Sequence, residues 1–148
     1  MSDTIVPPKA KFFVSVIYSS DGILSELEKR LIKKFGMIDY RTRSLPYMSG
    51  ELFREKGPAQ HRIFLSFGKL MKMERIVSVK KYTAGLEKRF KKKDRQGAKI
   101  DPGYLTLSNV FIATARDYFH RTYVGKGVYL ENEYRYLGKR YQPWEWTP

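Results

Sequence analysis

The side chains best suited to acid–base chemistry lie in the C-terminal third of the chain. They are Asp101, Tyr104, His120, Arg121 and Glu131. Carboxylates and a histidine can transfer protons, and an arginine beside them can hold an anionic group. These five residues therefore define a candidate catalytic site. The alternative interpretation is structural, because such carboxylates often pair with arginines across neighbouring strands.

The residue types and their spacing do not predict a metal site, a serine nucleophile or a phosphate-binding loop. Cysteine is absent, which predicts no disulfide and no thiolate nucleophile or metal ligand. His61 and His120 do not have the spacing of a helical metal-binding pair, and neither a metal nor a cofactor is predicted. The sequence also lacks the Gly-x-Ser-x-Gly elbow of serine hydrolases. Gly125-Lys126-Gly127 is predicted to be a hairpin turn instead of a phosphate-binding P-loop.

A basic run provides the second candidate site. The chain carries a formal net charge of +14, and such a charge attracts polyanions. Much of it is concentrated near the end of a predicted helix, at Lys88, Arg89, Lys91, Lys92, Lys93, Arg95 and Lys99. Tyr123 and Tyr129 on a nearby sheet could stack on bases. The leading interpretation is thus a surface that binds RNA or a nucleotide, and the alternative is a solvated basic face with packed tyrosines.

Length and composition predict the number of domains, the cellular location and the oligomeric state. The chain has 148 residues without a repeat or a linker, so a single domain over residues 1–148 is expected. No apolar run is long enough to cross a membrane, and the first residues do not resemble a signal peptide, which predicts a cytoplasmic protein. Missing cysteine and few amides are typical of thermophiles. The 22 aromatic residues make a homodimer the third interpretation.

The N-terminal half alternates buried strands with amphipathic helices. Residues 11–18 and 61–67 are strongly apolar, as in strands of a buried sheet. An edge strand from residue 38 to about Ser44 and a polar loop at residues 48–60 are expected between them. The predicted buried faces of the two helices are Ile23, Leu24, Leu27, Leu31 and Phe35, and Ile76, Val79, Thr83, Leu86 and Phe90.

The next part of the chain predicts an interrupted strand. Asp101-Pro102-Gly103 has the residue order of a type II β-turn, so a fourth strand at residues 98–106 should bend there. Such a bend would place Asp101 beside Tyr104. Residues 107–114 have apolar side chains at helical spacing and predict a short third helix, with a strand as the alternative.

A hairpin is expected to follow, with Gly125-Lys126-Gly127 joining residues 118–124 to residues 128–137. The predicted cross-strand pairs are Val124–Val128, Tyr123–Tyr129, Arg121–Glu131 and His120–Asn132. Arg121 and Glu131 then share one face of the hairpin, and His120 lies on the other. A further turn at Gly138-Lys139 should return a short strand at residues 140–142.

These elements follow the order β-α-β-β-α-β before the C-terminal strands. That order is typical of the ferredoxin-like α+β fold. We therefore expect an antiparallel or mixed sheet with the two main helices on one face.

Several segments resemble one known family. The most specific are residues 101–107 (Asp-Pro-Gly-Tyr-Leu-Thr-Leu), 117–121 and 125–129, and weaker likeness extends over residues 12–18, 35–40 and 62–67. They are similar to an uncharacterised prokaryotic family, the domain of unknown function numbered 4416. Because that family has no established activity, the resemblance implies a common fold over most of the chain and no particular reaction.

Overall fold

The computed structural model describes residues 4–47, 60–93 and 97–147. These residues form an α+β fold with two α-helices and one nine-stranded sheet. The helices are α1 (Asp21–Phe35) and α2 (Ile76–Lys93). The strands are β1 (Lys11–Tyr18), β2 (Ile38–Arg41), β3 (Leu45–Tyr47), β4 (Gln60–Phe67), β5 (Ala98–Leu105), β6 (Asn109–Thr114), β7 (Arg121–Gly125), β8 (Val128–Leu137) and β9 (Arg140–Pro143).

The sheet is antiparallel at every pairing in the described residues. Its main strand order is β2-β4-β1-β5-β6-β8-β7. Two short strands lie beside this path, since β3 also pairs with β4 and β9 also pairs with β8. None of the helices in the described residues is long and apolar enough to cross a membrane.

Both helices form where the sequence predicts them, and for the expected reasons. Ser20 is the N-cap of α1, where its hydroxyl accepts a hydrogen bond from the Ile23 amide. Gly36 ends that helix with a positive φ of 95°. The predicted apolar faces of both helices are buried, except that Leu24 is only partly buried.

One face of the sheet carries the main core. Alternate residues of the central strands point to this face and meet both helices. The cluster includes Phe12, Val14 and Val16 of β1, Leu65 and Phe67 of β4, Leu27 and Leu31 of α1, and Val79, Leu86 and Phe90 of α2. The helices therefore share a single face, as predicted.

The edge strand predicted to end near Ser44 is divided in two, because β2 already ends at Arg41. After β2, the chain adds β3, which pairs with the same strand β4 and contains Pro46. Proline is tolerated there because an edge strand does not need every backbone N–H for pairing. Of the polar loop predicted at residues 48–60, residues 48–59 lie outside the described part of the chain.

The turn predicted at Asp101-Pro102-Gly103 is wrong. All three residues lie inside β5, where Pro102 is opposite Val14 of β1. On its other side, β5 pairs with β6 only from Gly103 to Leu105, so Pro102 precedes the paired stretch. Gly103 is needed for a close approach instead of a turn. A Cβ atom at this position would lie 2.1 Å from the Phe111 carbonyl oxygen and 2.7 Å from the Phe13 ring.

The short helix predicted at residues 107–114 is also wrong, and its strand alternative is confirmed. These residues form β6, which lies between β5 and β8. The β-branched and aromatic residues Val110, Phe111 and Ile112 suit a strand that has neighbours on both sides. Tertiary pairing thus outweighs the helical spacing of the apolar residues.

The hairpin of β7 and β8 has most of the predicted register. Arg121 is opposite Glu131 and Tyr123 is opposite Tyr129. Val124 does not face Val128, because an irregularity in β7 brings Gly125 opposite Val128. His120 does not pair with Asn132: it lies in the turn before β7, and its ring contacts Glu131. The short returning strand is confirmed as β9.

The second face of the sheet encloses an apolar groove. The groove has a volume of about 600 Å³ and is lined by side chains from β1 and β4 and from β6, β8 and β9, including Phe13, Phe64, Val110, Tyr134 and Tyr141. Strands that are distant in the sheet order therefore approach one another across this face. The same curvature brings charged residues of β4, β7 and β8 into one neighbourhood.

Candidate functional site

A cationic cleft opens where β5 and β6 separate. Their pairing is limited to Gly103–Leu105 of β5. Beyond it, the cleft is lined by residues of α2 and β5 on one side and by residues 114–116 and Arg121 on the other. Its volume is about 890 Å³. The cationic lining residues are Lys80, Lys88, Lys91, Lys99, Arg116 and Arg121.

Among the described residues, two carboxylates line the cationic cleft against these six cations, Glu87 and Asp101. The buried Lys80 ammonium lies 3.5 Å from Asp101 Oδ1. Burial raises the pKa of Glu87, and the nearby Lys80 partly opposes that rise. The cleft consequently has a clear excess of positive charge, and its counter-charges are few and partly enclosed.

The structure divides the predicted basic run. Lys88, Lys91 and Lys99 line the cationic cleft. Arg89, Lys92 and Lys93 are exposed but do not belong to its lining, and the Lys93 ammonium lies 2.8 Å from Glu26 Oε1. Arg95 lies outside the described residues. The sequence did not single out Lys80, because it lies outside both the basic run and the predicted apolar face of α2.

The two predicted stacking tyrosines lie beside the cleft lining. Tyr129 is opposite Thr114, a residue of the lining, and its ring centre lies 5.1 Å from that of Tyr123. Tyr123 is 57% exposed, whereas Tyr129 is only partly exposed. The Tyr123 hydroxyl accepts a hydrogen bond from the Gly127 amide. Tyr123 is therefore the more accessible of the two rings.

Three members of the predicted catalytic group do meet. The ring of His120 contacts the Glu131 carboxylate through Nε2. Arg121 Nε donates to Glu131 Oε1 at 3.2 Å. Both interactions are largely enclosed, since the His120 and Glu131 side chains are 7% and 12% exposed. Arg121 also lines the cationic cleft, so it links this polar cluster to the cleft.

The other two members of that group lie elsewhere. Asp101 is in the cationic cleft beside Lys80. Tyr104 faces the helices, packed between the rings of Phe12 and Phe111, and burial raises the pKa of its hydroxyl. Because Asp101 and Tyr104 are three positions apart in a continuous strand, they point to opposite faces. The five residues thus do not form one site.

The burial of Glu133 is the feature of this region that the sequence did not predict. The register between β6 and β8 shifts so that Phe111 faces Asn132 and Val110 faces Tyr134, which leaves Glu133 as the extra residue of a β-bulge. Glu133 is only 4% exposed, and its Oε2 atom has no hydrogen-bond partner among the described residues. A glutamate in an alternating strand pattern gave no sign of this burial.

The two carboxyl groups of the bulge differ in their protonation. Burial and the adjacent Glu131 raise the pKa of Glu133 to about 8. Burial also acts on Glu131, but hydrogen bonds with Glu133 and His120 and the charge of Arg121 outweigh it and lower the pKa of Glu131. At neutral pH, one carboxyl group therefore keeps its proton and its neighbour is ionised.

The end of the chain encloses this cluster. Trp146 stacks on His120 with ring centres 4.6 Å apart, and Trp144 stacks on Trp146 at 5.3 Å. Trp146 Nε1 donates to the Asn132 carbonyl oxygen at 2.7 Å. The Thr147 hydroxyl donates to the Glu133 carbonyl oxygen at 2.6 Å. These contacts fix the chain end beside the bulge and shield His120.

Unpaired polar atoms are concentrated in the same region. Six buried side-chain nitrogen or oxygen atoms lack a hydrogen-bond partner in the described part of the chain. Five of them belong to His120, Asn132, Glu133, Arg135 and Trp144. Because buried polar atoms are normally paired, their concentration distinguishes this region from the rest of the fold. No group of three or more acidic or histidine side chains in the described residues is arranged to hold a metal ion.

One comparison with known proteins identifies the family of this chain. The family described as Domain of unknown function (DUF4416) matches residues 8–148, and the chain belongs to that family. No curated protein and no solved structure matches it significantly. Its activity is therefore not established by kinship, and the geometry of the cationic cleft is the main guide to function.

Proposed function

We propose that the protein binds a phosphorylated ligand, a nucleotide or RNA, in the cationic cleft. The observation that carries this proposal is the convergence, among the described residues, of six lysine and arginine side chains on a cleft with two carboxylates. Ammonium and guanidinium groups are the usual protein partners of phosphate, and they bind it more strongly where water is partly excluded.

A nucleotide suits the cleft better than a long RNA. The volume of about 890 Å³ lies within the range of small-molecule sites, which is roughly 300–1,000 Å³. The cleft also has one aromatic lining residue in its described part, Tyr47, and a side-chain amide at Gln60. A base could stack on Tyr47 and hydrogen-bond to Gln60 while its phosphates contact the lysines.

We also propose that the first part of the fold is ferredoxin-like. Its support is the order β2-β4-β1-β5 of four antiparallel strands, with both helices against one face. In this arrangement β6–β9 extend the sheet beyond β5, and the cationic cleft lies at the junction. The homodimer predicted from the aromatic content stays a prediction.

Replacing Lys91 by glutamine should weaken nucleotide binding, and Lys92 provides a matched control. Both lysines are exposed neighbours on α2, but only Lys91 lines the cationic cleft. With ATP as the probe, we expect Lys91→Gln to raise the Kd about tenfold through loss of one charged contact. Lys92→Gln should raise it less than about twofold, because salt screens a charge outside the site. Isothermal titration calorimetry at fixed salt measures both.

The same pair of variants separates a nucleotide from RNA. A single-stranded RNA that follows the exposed basic face of α2 would lose similar affinity in Lys91→Gln and Lys92→Gln, with a shallower salt dependence in each. Equal effects of the two substitutions on ATP binding would contradict a ligand held inside the cleft. Absence of any ATP or RNA binding at low salt would remove the proposed function.

A catalytic role is the second candidate, and the carboxyl pair Glu131–Glu133 with His120 is the observation that favours it. Pairs of acids with separated pKa values are common in active sites. However, neither Glu131 nor Glu133 belongs to the lining of the cationic cleft. A proton donor must approach the reacting group within hydrogen-bond distance, so binding is the better-supported function.

A further inference from the structure

We infer that binding of an anion in the cationic cleft is coupled to protonation of the carboxyl pair Glu131–Glu133, with Arg121 as the contact that the cleft and the pair have in common. This inference rests on the proposed function and specifies how that site is regulated. It assigns a role to the buried carboxyl pair that does not require the pair to touch the ligand.

Arg121 is the physical connection. Its side chain lines the cationic cleft, and its Nε atom donates to Glu131 Oε1 at 3.2 Å. A second nitrogen, Nη1, donates to the Arg116 carbonyl oxygen at 3.0 Å, which fixes the guanidinium between the two regions. A phosphate in the cleft and the Glu131 carboxylate therefore compete for one guanidinium group.

The bulge supplies a second carboxyl group that is held apart from water. Glu133 is 4% exposed and lies next to Glu131. Among the described residues, three charged or titratable groups face the pair: His120 from the turn before β7, Arg121 from β7 and Arg62 from β4. The two glutamates of β8 also face each other. While Glu133 is protonated, the pair has one negative charge, and Arg121 balances it.

Loss of the Glu133 proton changes that balance. Two adjacent carboxylates then offset more of the positive charge of Arg121. The positive electrostatic potential in the cationic cleft falls as a result. The pKa of Glu133, raised by burial to about 8, places this change within an accessible pH range. By reciprocity, a bound phosphate that takes contacts from Arg121 makes the carboxyl pair hold its proton more tightly.

The test compares ATP binding at pH 7 and pH 9 in the wild-type protein and in Glu133→Gln, which mimics the protonated side chain. We expect the wild-type Kd to rise about fivefold between these pH values, which corresponds to a ligand-induced rise of about one unit in a pKa of about 8. The Kd of Glu133→Gln should change less than about twofold. ATP itself gains charge as the pH rises, so its own titration acts in the opposite direction in both proteins.

Calorimetry of the wild-type protein at pH 8, in buffers of different ionisation enthalpy, gives the number of protons taken up with ATP and needs no variant. Net proton uptake supports the coupling, and zero or negative uptake overturns it. Equal pH dependence in wild type and Glu133→Gln also overturns it while the cleft remains a binding site. Failure of ATP to bind at either pH overturns the proposed function and the coupling together.

Discussion

The Gly103→Ala variant is expected to unfold far more readily than the wild-type protein, with a loss of roughly 3 kcal/mol or more in the free energy of unfolding. The added Cβ would lie 2.1 Å from the Phe111 carbonyl oxygen, a backbone atom of β6 that cannot rotate away. It would also lie 2.7 Å from the Phe13 ring. The constraint is space, since Gly103 is not among the residues with positive φ.

Gly85→Ala is the matched control. Gly85 is an exposed residue of α2 with nothing within 4 Å of an added Cβ. Alanine should therefore stabilise the helix there by up to about 1 kcal/mol. Urea unfolding of both variants measures the difference. A Gly103→Ala protein as stable as wild type would mean that β5 and β6 are further apart than the structure places them.

Glu133→Gln is expected to gain stability relative to the wild-type protein as the pH rises. The pKa of Glu133 is about 8 in the folded chain and near its ordinary value of 4.5 when unfolded. Between these values the folded chain holds a proton that the unfolded chain lacks, so wild-type stability falls with rising pH. Glutamine does not titrate. The difference between the two proteins should grow by about 3 kcal/mol from pH 5 to pH 8.

Urea unfolding at several pH values measures this difference, with unchanged denaturant slopes as evidence of two-state behaviour. Below about pH 4 the carboxyl group is protonated in both states, so the difference should be constant there. Glu74→Gln, a substitution of an exposed glutamate, should show no growing difference over the same range. A pH-independent difference for Glu133→Gln would show that its carboxyl group does not keep its proton in the folded chain.

The helices and the central strands were predictable because their patterns are local. Apolar spacing by three and four residues places Leu27, Leu31 and Phe35 on one face of α1. The N-cap Ser20 and the C-cap Gly36 mark the two ends of the helix. The hairpin register at Arg121–Glu131 likewise follows from loop length and alternation. These features depend on residues close together in the sequence.

Features that depend on distant strands were not predictable. Asp101-Pro102-Gly103 has the residue order of a turn, but pairing with β1 keeps the segment extended. Gly103 is required by a contact with Phe111, which nothing in the local sequence indicates. The strand β6 forms for the same reason, since it acquires partners on both sides that the sequence alone does not identify.

The candidate site was partly predictable. The basic run provides three residues of the cleft lining, and Arg121 and Asp101 were already candidates for a site. The burial of Glu133 could not be predicted from the sequence, because it results from a register shift between β6 and β8. The signal in the sequence was the Glu-x-Glu spacing itself, which places two acids at alternate positions of β8.

The way the sheet ends on each side has a consequence for the behaviour of the protein in crowded solution. On one side two short strands, β2 and β3, divide the length of β4, and one of them contains Pro46. On the other side, β7 and β9 each pair with one part of β8. Between these two parts, the side chains of Trp146 and Thr147 donate hydrogen bonds to backbone carbonyl oxygens of β8. In the part of the chain that the structure describes, neither side offers a long, continuous row of backbone groups to a second chain. The sheet is therefore protected against growth by strand addition, the first step of many forms of aggregation.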